Sequence, residues 1–346
     1  MATLRTALVG FGYAGQTFHA PLIAATPGLA LSAIVSGNAE KVRSYWPAVP
    51  VLSNIDTALA DPALDLIVIA TPNHTHADLA RRALNAGKHV VVDKPFTVTL
   101  DEARDLAALE AQSAGLLSVF HNRRWDADFL VLADLVRQGV LGRLTHFESH
   151  FDRFRPVMRD RWREQASVPG AGLWHDLGPH LIDQVLCLFG RPATIFADII
   201  TQRRGNGAPD YFHAILGYET GLRAVLHGSM VTPDSRLRFA AHGDGGSFVK
   251  YGLDHQEEML KAGRIPGCAG WGNDPSPARL TRIMDGAVVQ EDVMALTGDY
   301  RCFYTAFQAA VRQGARNPVT AQEAIAVIEL IEAGYDSARQ QRVIKL

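Results

Sequence analysis

Apolar residues follow two different rhythms along this chain. Over the first 120 residues they come in short solid runs: Ala7 to Val9, Leu31 to Val35, Val49 to Leu52, Leu64 to Ala70, Val90 to Val92 and Leu116 to Phe120. Runs this short and unbroken read as strands covered on both faces. Helix signals separate them. Asn38 and Asn54 stand where N-caps belong, Gly87 follows a helix over about 76–86, and Thr99 with Glu102 has capping-box spacing. Six strands alternating with helices predict a doubly wound parallel sheet of the Rossmann type over residues 1–122.

The rhythm then changes. A helix over 128–138 leads into stretches that alternate polar and apolar positions: 145–154, 194–202, 211–218, 222–230 and 237–242. Alternation with few helices predicts an α+β domain over 123–346 with a large, mostly antiparallel open sheet. In the first stretch His146, Glu148, His150 and Asp152 share one face, and Phe147 and Phe151 share the other. The polar face has the residue types of a metal site, but a solvated or partner-facing surface is the preferred reading, and no metal is assigned. A further helix is expected to start near Pro179, a good first-turn residue, and to stop before Gly190.

Composition narrows the classes. The chain has 346 residues and a net charge of −2, so no basic surface invites nucleic acid or an acidic membrane. Cys187, Cys268 and Cys302 are scattered and form no disulfide framework, which fits a reducing cytoplasm. The opening residues lack the apolar segment of a signal peptide, and no apolar run is long enough to span a bilayer.

Chemistry enters at the first strand. Gly10-Phe11-Gly12-Tyr13-Ala14-Gly15 has G-x-G-x-x-G spacing between a strand and a helix. The first glycine permits a tight turn, the second lets backbone approach a pyrophosphate, and the third lets helix and strand pack closely. The second strand ends in Ser36-Gly37-Asn38, without the acid that accepts hydrogen bonds from the ribose 2′-OH of NAD. Ser36 can donate to a 2′-phosphate and Lys41 or Arg43 can neutralise it, so NADP is expected in preference to NAD. The loop Thr71-Pro72-Asn73-His74-Thr75-His76 follows the fourth strand and should border the cofactor, because ligands bind outside the carboxyl ends of such strands. His74 and His76 lack nearby Cys or Glu and make a poor metal pair. Asp93-Lys94-Pro95 ends the fifth strand, where a lysine is poised for catalysis or for solvent. Asp176, His180 and Asp183, spaced four and three apart, can gather on one side of a helix start, as a proton-exchange set or as a capping network.

Together these stretches resemble the Gfo/Idh/MocA family of NAD(P)-dependent sugar and polyol oxidoreductases, and within it the bacterial NADP-dependent scyllo-inositol dehydrogenase type. The resemblance spans essentially the whole chain. It rests on the glycine turn, Thr71-Pro-Asn73, Asp93-Lys-Pro95, Ser118 to Asp126, His146 to Pro156, Trp162-Arg163 and Asp176-x-x-x-His180. Asp93 stands where the family usually has Glu. The resemblance implies that Lys94, Asp176 and His180 are the catalytic set. It implies that Asn73, Asn122, Trp162 and Arg163 lie near cofactor or substrate, with His76, Asp93 and Lys94 on the cofactor side. It also puts Lys94, Arg123, Trp162, Asp176 and His180 against a small polyol or sugar, and makes a homodimer through the second domain's sheet the expected assembly. The alternatives are a sugar or carbonyl reductase on the same scaffold, an enzyme that keeps its cofactor bound, and a non-catalytic NADP-binding sensor.

Overall fold

The computed structural model describes residues 3–234 and 236–346. These divide into two compact units. The first contains the chain up to Trp125. Its strands are β1 (Leu4–Val9), β2 (Leu29–Val35), β3 (Val51–Leu52), β4 (Leu66–Ile69), β5 (His89–Asp93) and β6 (Leu117–Phe120). They form one all-parallel sheet in the order β3-β2-β1-β4-β5-β6. The intervening helices are α1 (Ala20–Ala25), α2 (Ala39–Tyr45), α3 (Ile55–Ala60), α4 (His76–Asn85) and α5 (Leu100–Glu110). Every residue of β4 is buried, as a strand between two helical layers requires. Asn38 caps α2, Asn54 caps α3, and Thr99 and Glu102 close a complete capping box on α5. Between the glycine turn and α1 lies a π-helical turn, Gly15–His19.

The second unit begins with α6 (Ala127–Arg137). It carries β7 (Leu144–His150), α7 (Leu173–Phe189), β8 (Thr194–Ile200), β9 (Tyr211–Gly217), β10 (Arg223–Ser229), β11 (Leu237–Gly243), β12 (Ser247–Tyr251), β13 (Ala278–Met284), β14 (Ala287–Val293) and β15 (Ile344–Lys345). The sheet runs β14-β13-β12-β11-β7-β10-β9-β8-β15 and is antiparallel except where β7 pairs with β10. On β7 the alternation works as expected: Phe147 and Ser149 face the core, while His146, Glu148 and His150 are partly exposed on the other face. Phe147 and Phe151 join Trp174, Leu177, Leu181 and Val185 of α7 in one core.

Two expectations are corrected. The helix expected to start near Pro179 starts six residues earlier, and Pro179 lies inside it. The N-cap is Gly172, at φ +96°, and Leu173 N–H donates 2.7 Å to the carbonyl of Pro209. That distant carbonyl satisfies one of the orphan donors of the first turn, which no local reading anticipates. The second correction concerns the boundary. After β12 the chain returns to the first unit with α8 (Gln256–Lys261), and again with α9 (Arg301–Gln313); residues Gln256–Trp271 and Asp299–Ile325 belong there. A boundary at 122/123 therefore misses these segments. One of them covers a sheet edge: the Ser118 hydroxyl donates to Val319 O, and Asn317 Nδ2 donates to Leu117 O. The last helix, α10 (Ala321–Gln340), contributes to the first unit through Ile325 and to the second from Ala326. Among the described residues no helix is long and apolar enough to cross a membrane.

Candidate active site

In the first unit the glycine turn is built by exclusion. Gly10 has φ +98°, and a Cβ there would stand 2.5 Å from the carbonyl oxygen of Ala70. A Cβ on Gly15 would stand 2.1 Å from Gly10 O. A Cβ on Gly12 would meet nothing within 4 Å. Two glycines are therefore required by the fold, and the middle one borders open space, as a cradle for a pyrophosphate needs.

At the end of β2 the loop and α2 are tied together by hydrogen bonds. Ser36 Oγ accepts from Asn38 N–H at 3.1 Å, and Asn38 accepts from Lys41 N–H at 2.9 Å. Lys41 Nζ donates to Phe11 O at 3.2 Å and lies 5.7 Å from the centre of the Phe11 ring. Its charge is thereby held between α2 and the glycine turn, and none of the three residues after β2, Ser36 to Asn38, is an acid.

At the carboxyl end of β5, Asp93 Oδ1 accepts from the backbone N–H of Lys94 and lies 3.7 Å from His19 Nε2. His19 Nδ1 in turn meets the Tyr304 hydroxyl at 2.6 Å. Burial alone would raise the Asp93 carboxyl. The His19 ring, then Lys94 and His76, outweigh it and hold the group below the usual carboxylate range. Asp93 is thus an ionised brace under Lys94, tied to the π-helical turn.

His76 is fully buried, with Nδ1 2.8 Å from Pro95 O and Nε2 3.0 Å from Thr71 O. Its ring bridges the Thr71 loop and the Lys94–Pro95 segment. The Arg123 side chain is 5% exposed and its guanidinium donates to Glu257 Oε2 at 2.9 Å. Asn73 and Asn122 are buried at the loops after β4 and β6.

Glu257 is the residue that sequence reading missed. Besides Arg123 it accepts from the Tyr13 hydroxyl at 2.7 Å, and Lys261 Nζ lies 3.1 Å away. Burial would raise its carboxyl, but Arg123, Tyr13 and Lys261 together hold it at about 2. Only Lys261 is a local partner, at i,i+4 spacing; Arg123 and Tyr13 are 134 and 244 residues away, so no local signal marks the cluster.

In the second unit, α7 brings Asp176, His180 and Asp183 onto one face at helical spacing, since all three now lie inside a continuous helix. His180 and Asp183 are buried. Asp176 is half-buried between two arginines: Arg153 Nη1 and Arg163 Nε each stand 3.5 Å from one of its oxygens. The Arg163 guanidinium also lies 4.4 Å above the Trp162 ring. Trp162, Arg163, Asp176 and Arg153 thus stand together. The turn carrying Trp162 is anchored by Arg203, which pairs with Glu164 at 2.9 Å and Asp210 at 2.7 Å. α7 is held by Arg238, which donates to Gln184 Oε1 at 2.7 Å and to Ser149 Oγ at 3.1 Å.

A doubly wound parallel sheet with a glycine cradle, followed by a large mixed sheet bearing a polar helix face, defines a two-domain dinucleotide-dependent oxidoreductase. Comparison with known proteins makes this specific. Residues 4–121 match the model of the oxidoreductase family NAD-binding Rossmann fold, and residues 133–346 match that of its C-terminal alpha/beta domain. The chain belongs to the Gfo/Idh/MocA family of oxidoreductases. It is 51% identical to the uncharacterized oxidoreductase YdgJ of Escherichia coli K12, over 99% of both chains. It is 37% identical to the scyllo-inositol 2-dehydrogenase (NADP(+)) IolW of Bacillus subtilis, over 99% of this chain and 96% of that one. The solved structure of YPO2259 from Yersinia pestis superposes with a TM-score of 0.95 at 48% identity, covering 100% of this chain and 97% of that one.

Proposed function

We infer that the protein is an NADP-dependent dehydrogenase of a cyclic polyol or sugar, interconverting a secondary alcohol and its ketone, with scyllo-inositol and scyllo-inosose the favoured pair. The observation that carries this reading is the face of α7, where His180 stands one turn from an Asp176 braced by Arg153 and Arg163. The similarity to IolW supports the substrate class and the cofactor.

The glycine turn, Ser36 and Lys41 would hold the dinucleotide, with the Thr71–Asn73 loop beside them. The chemistry that a bound nicotinamide supplies is hydride exchange with the carbinol carbon. His180 takes the hydroxyl proton during oxidation and returns it during reduction. Lys94 donates a hydrogen bond to the same oxygen and stabilises the negative charge that develops there. Asp176 orients His180 or binds a neighbouring hydroxyl. The outer face of the second sheet is the proposed contact between two copies, which light scattering at micromolar concentration tests.

The deciding experiment is a turnover screen with NADP and NAD across inositols, their ketones and aldoses, following absorbance at 340 nm. Oxidation of scyllo-inositol with NADP above all other pairs supports the reading. Turnover confined to simple aldehydes and ketones points to a carbonyl reductase, and tight NADPH binding without turnover points to a sensor.

A further inference from the structure

The outer face of the second sheet carries a row of histidines that hydride transfer does not use. Strand register builds it: His150 on β7 is paired with His227 on β10, and His227 with His213 on β9. Asp152 follows β7 on the same side. Its side chain is 7% exposed, and its Oδ1 is buried and accepts no hydrogen bond from the described residues.

The two oxygens of Asp152 face two imidazole nitrogens. His150 Nδ1 is 3.6 Å from Oδ2, and His227 Nε2 is 3.4 Å from Oδ1. The other nitrogen of His150, Nε2, stands 2.7 Å from Glu148 Oε2. A carboxylate there takes the Nε2 proton as a hydrogen bond, which leaves the lone pair of a neutral ring on Nδ1, turned toward Asp152. In the neutral ring acceptor then faces acceptor, a mismatch relieved by a cation between them, either a metal ion or a proton on Nδ1.

We propose that His150, Asp152 and His227 bind a divalent transition-metal ion, zinc by preference, with Glu148 as the outer carboxylate that orients His150. Donor atoms about 2.1 Å from a tetrahedral zinc lie about 3.4 Å from one another. Each imidazole nitrogen stands at about that spacing from one of the two carboxylate oxygens, so a small rotation of Asp152 brings a single oxygen to both. One ligand atom from each of the three residues can be chosen so that all lie within 4.8 Å of one another. Two imidazoles and one carboxylate are a zinc donor set, and three protein ligands leave the fourth position to water. The carboxylate–histidine–metal order matches the usual outer-shell arrangement. The competing occupant is a proton on His150, which Asp152 and Glu148 favour against burial. The inference does not rest on the proposed reaction, because none of these residues belongs to the catalytic set.

The test uses the full-length protein, stripped with a chelator and dialysed against zinc alone, with bound metal measured by mass spectrometry. One zinc per chain is expected. Asp152→Asn and His227→Gln should each weaken binding by about 100-fold or more, and Glu148→Gln by about 10–100-fold. His146→Gln, outside the set, should keep the metal, and the melting temperature of each variant reports whether it folds. Nitrogen NMR of the wild-type histidines needs no variant: zinc should shift His150 Nδ1 and His227 Nε2 but not His146. No bound zinc, with His150 doubly protonated at neutral pH, overturns the proposal in favour of the proton. Equal loss of zinc in His146→Gln overturns the choice of ligands.

Discussion

The glycine turn of the first unit and the polar face of α7 in the second both stand at the start of a helix, yet they carry their chemistry in different parts of the chain. At Gly10–Gly15 the chemistry lies in the backbone. Side chains are excluded at Gly10 and Gly15 because Ala70 O and Gly10 O already occupy the space. On α7 the chemistry lies in side chains, Asp176 and His180, and the backbone's task is to keep them one turn apart. Damage should therefore follow different patterns. Substitutions in the turn should cost folding and cofactor binding together, whereas substitutions on α7 should cost rate and spare both.

The largest expected effect tests the side-chain half of this contrast. His180→Ala should lower kcat by about 10²–10⁴-fold, the usual worth of a placed proton-transfer group. NADPH affinity and melting temperature should stay close to wild type. Lys94→Ala should be at least as damaging, and the double variant should lose less than the product of the two, as expected of groups serving one oxygen. Near wild-type turnover in either single variant would remove that residue from the catalytic set.

Next comes the backbone half. Gly15→Ala should destabilise the protein by about 3 kcal/mol or more, because the new methyl meets a carbonyl oxygen that cannot easily move. Gly12→Ala should leave stability nearly unchanged and still weaken NADPH binding, since the added methyl enters open space. Denaturant midpoints paired with fluorescence titrations separate the two outcomes. Equal destabilisation by both substitutions would show that the cradle is a packing feature and nothing more.

The same contrast explains how much could be read in advance. The parallel sheet was legible because its strands are solid apolar runs and its helices carry local caps at Asn38, Asn54 and Thr99. The glycine turn was legible because backbone geometry restricts residue type directly. Asp176 and His180 were visible as a spacing, and the helix from Pro179 onward was too, but the first six residues of that helix, which hold Asp176, were not. Its start depends on Pro209 O, reached across the sequence, and Pro179 gave the stronger local signal. Glu257 and His19 left no trace, because ion pairs and hydrogen bonds between distant segments impose no periodicity. The row on β7, β10 and β9 was half visible: alternation put His146, Glu148, His150 and Asp152 on one face, while strand register alone brings His227 and His213 beside them.

Glu257 offers a smaller test, on a side chain that serves the backbone turn. Its folded carboxyl, at about 2, lies below its unfolded value. Its contribution is therefore fully present above about pH 4.3 and is lost as pH falls toward 2. Glu257→Gln should cost about 2 kcal/mol at pH 7, with the gap to wild type narrowing in acid. Urea unfolding at neutral and acid pH measures it. A gap that stays constant with pH would mean that Arg123 and Tyr13 are held by something other than the Glu257 charge.

The smallest effect bears on the one place where turn and side chains cooperate, the ribose end. Ser36 Oγ accepts from Asn38 N–H, a bond that an aspartate at 36 can also accept, so Ser36→Asp should leave the cap of α2 intact. What changes is charge. A carboxylate there would repel a 2′-phosphate and draw Lys41 away from it, while offering an acceptor to a ribose 2′-OH. In a site open to water, one added charge at this distance is worth about 1–2 kcal/mol, or roughly tenfold in preference. NADP should lose about that factor in kcat/KM and NAD should lose little or gain. Lys41→Ala should also weaken NADP more than NAD, without the gain. Ser36→Ala separates charge from hydrogen bonding: it removes the hydroxyl and adds no repulsion, so its effect on NADP should be the mildest of the three. Equal losses with both cofactors across this series would mean that the ribose end is read elsewhere, and that the missing acid after β2 is a property of the loop rather than a cofactor filter.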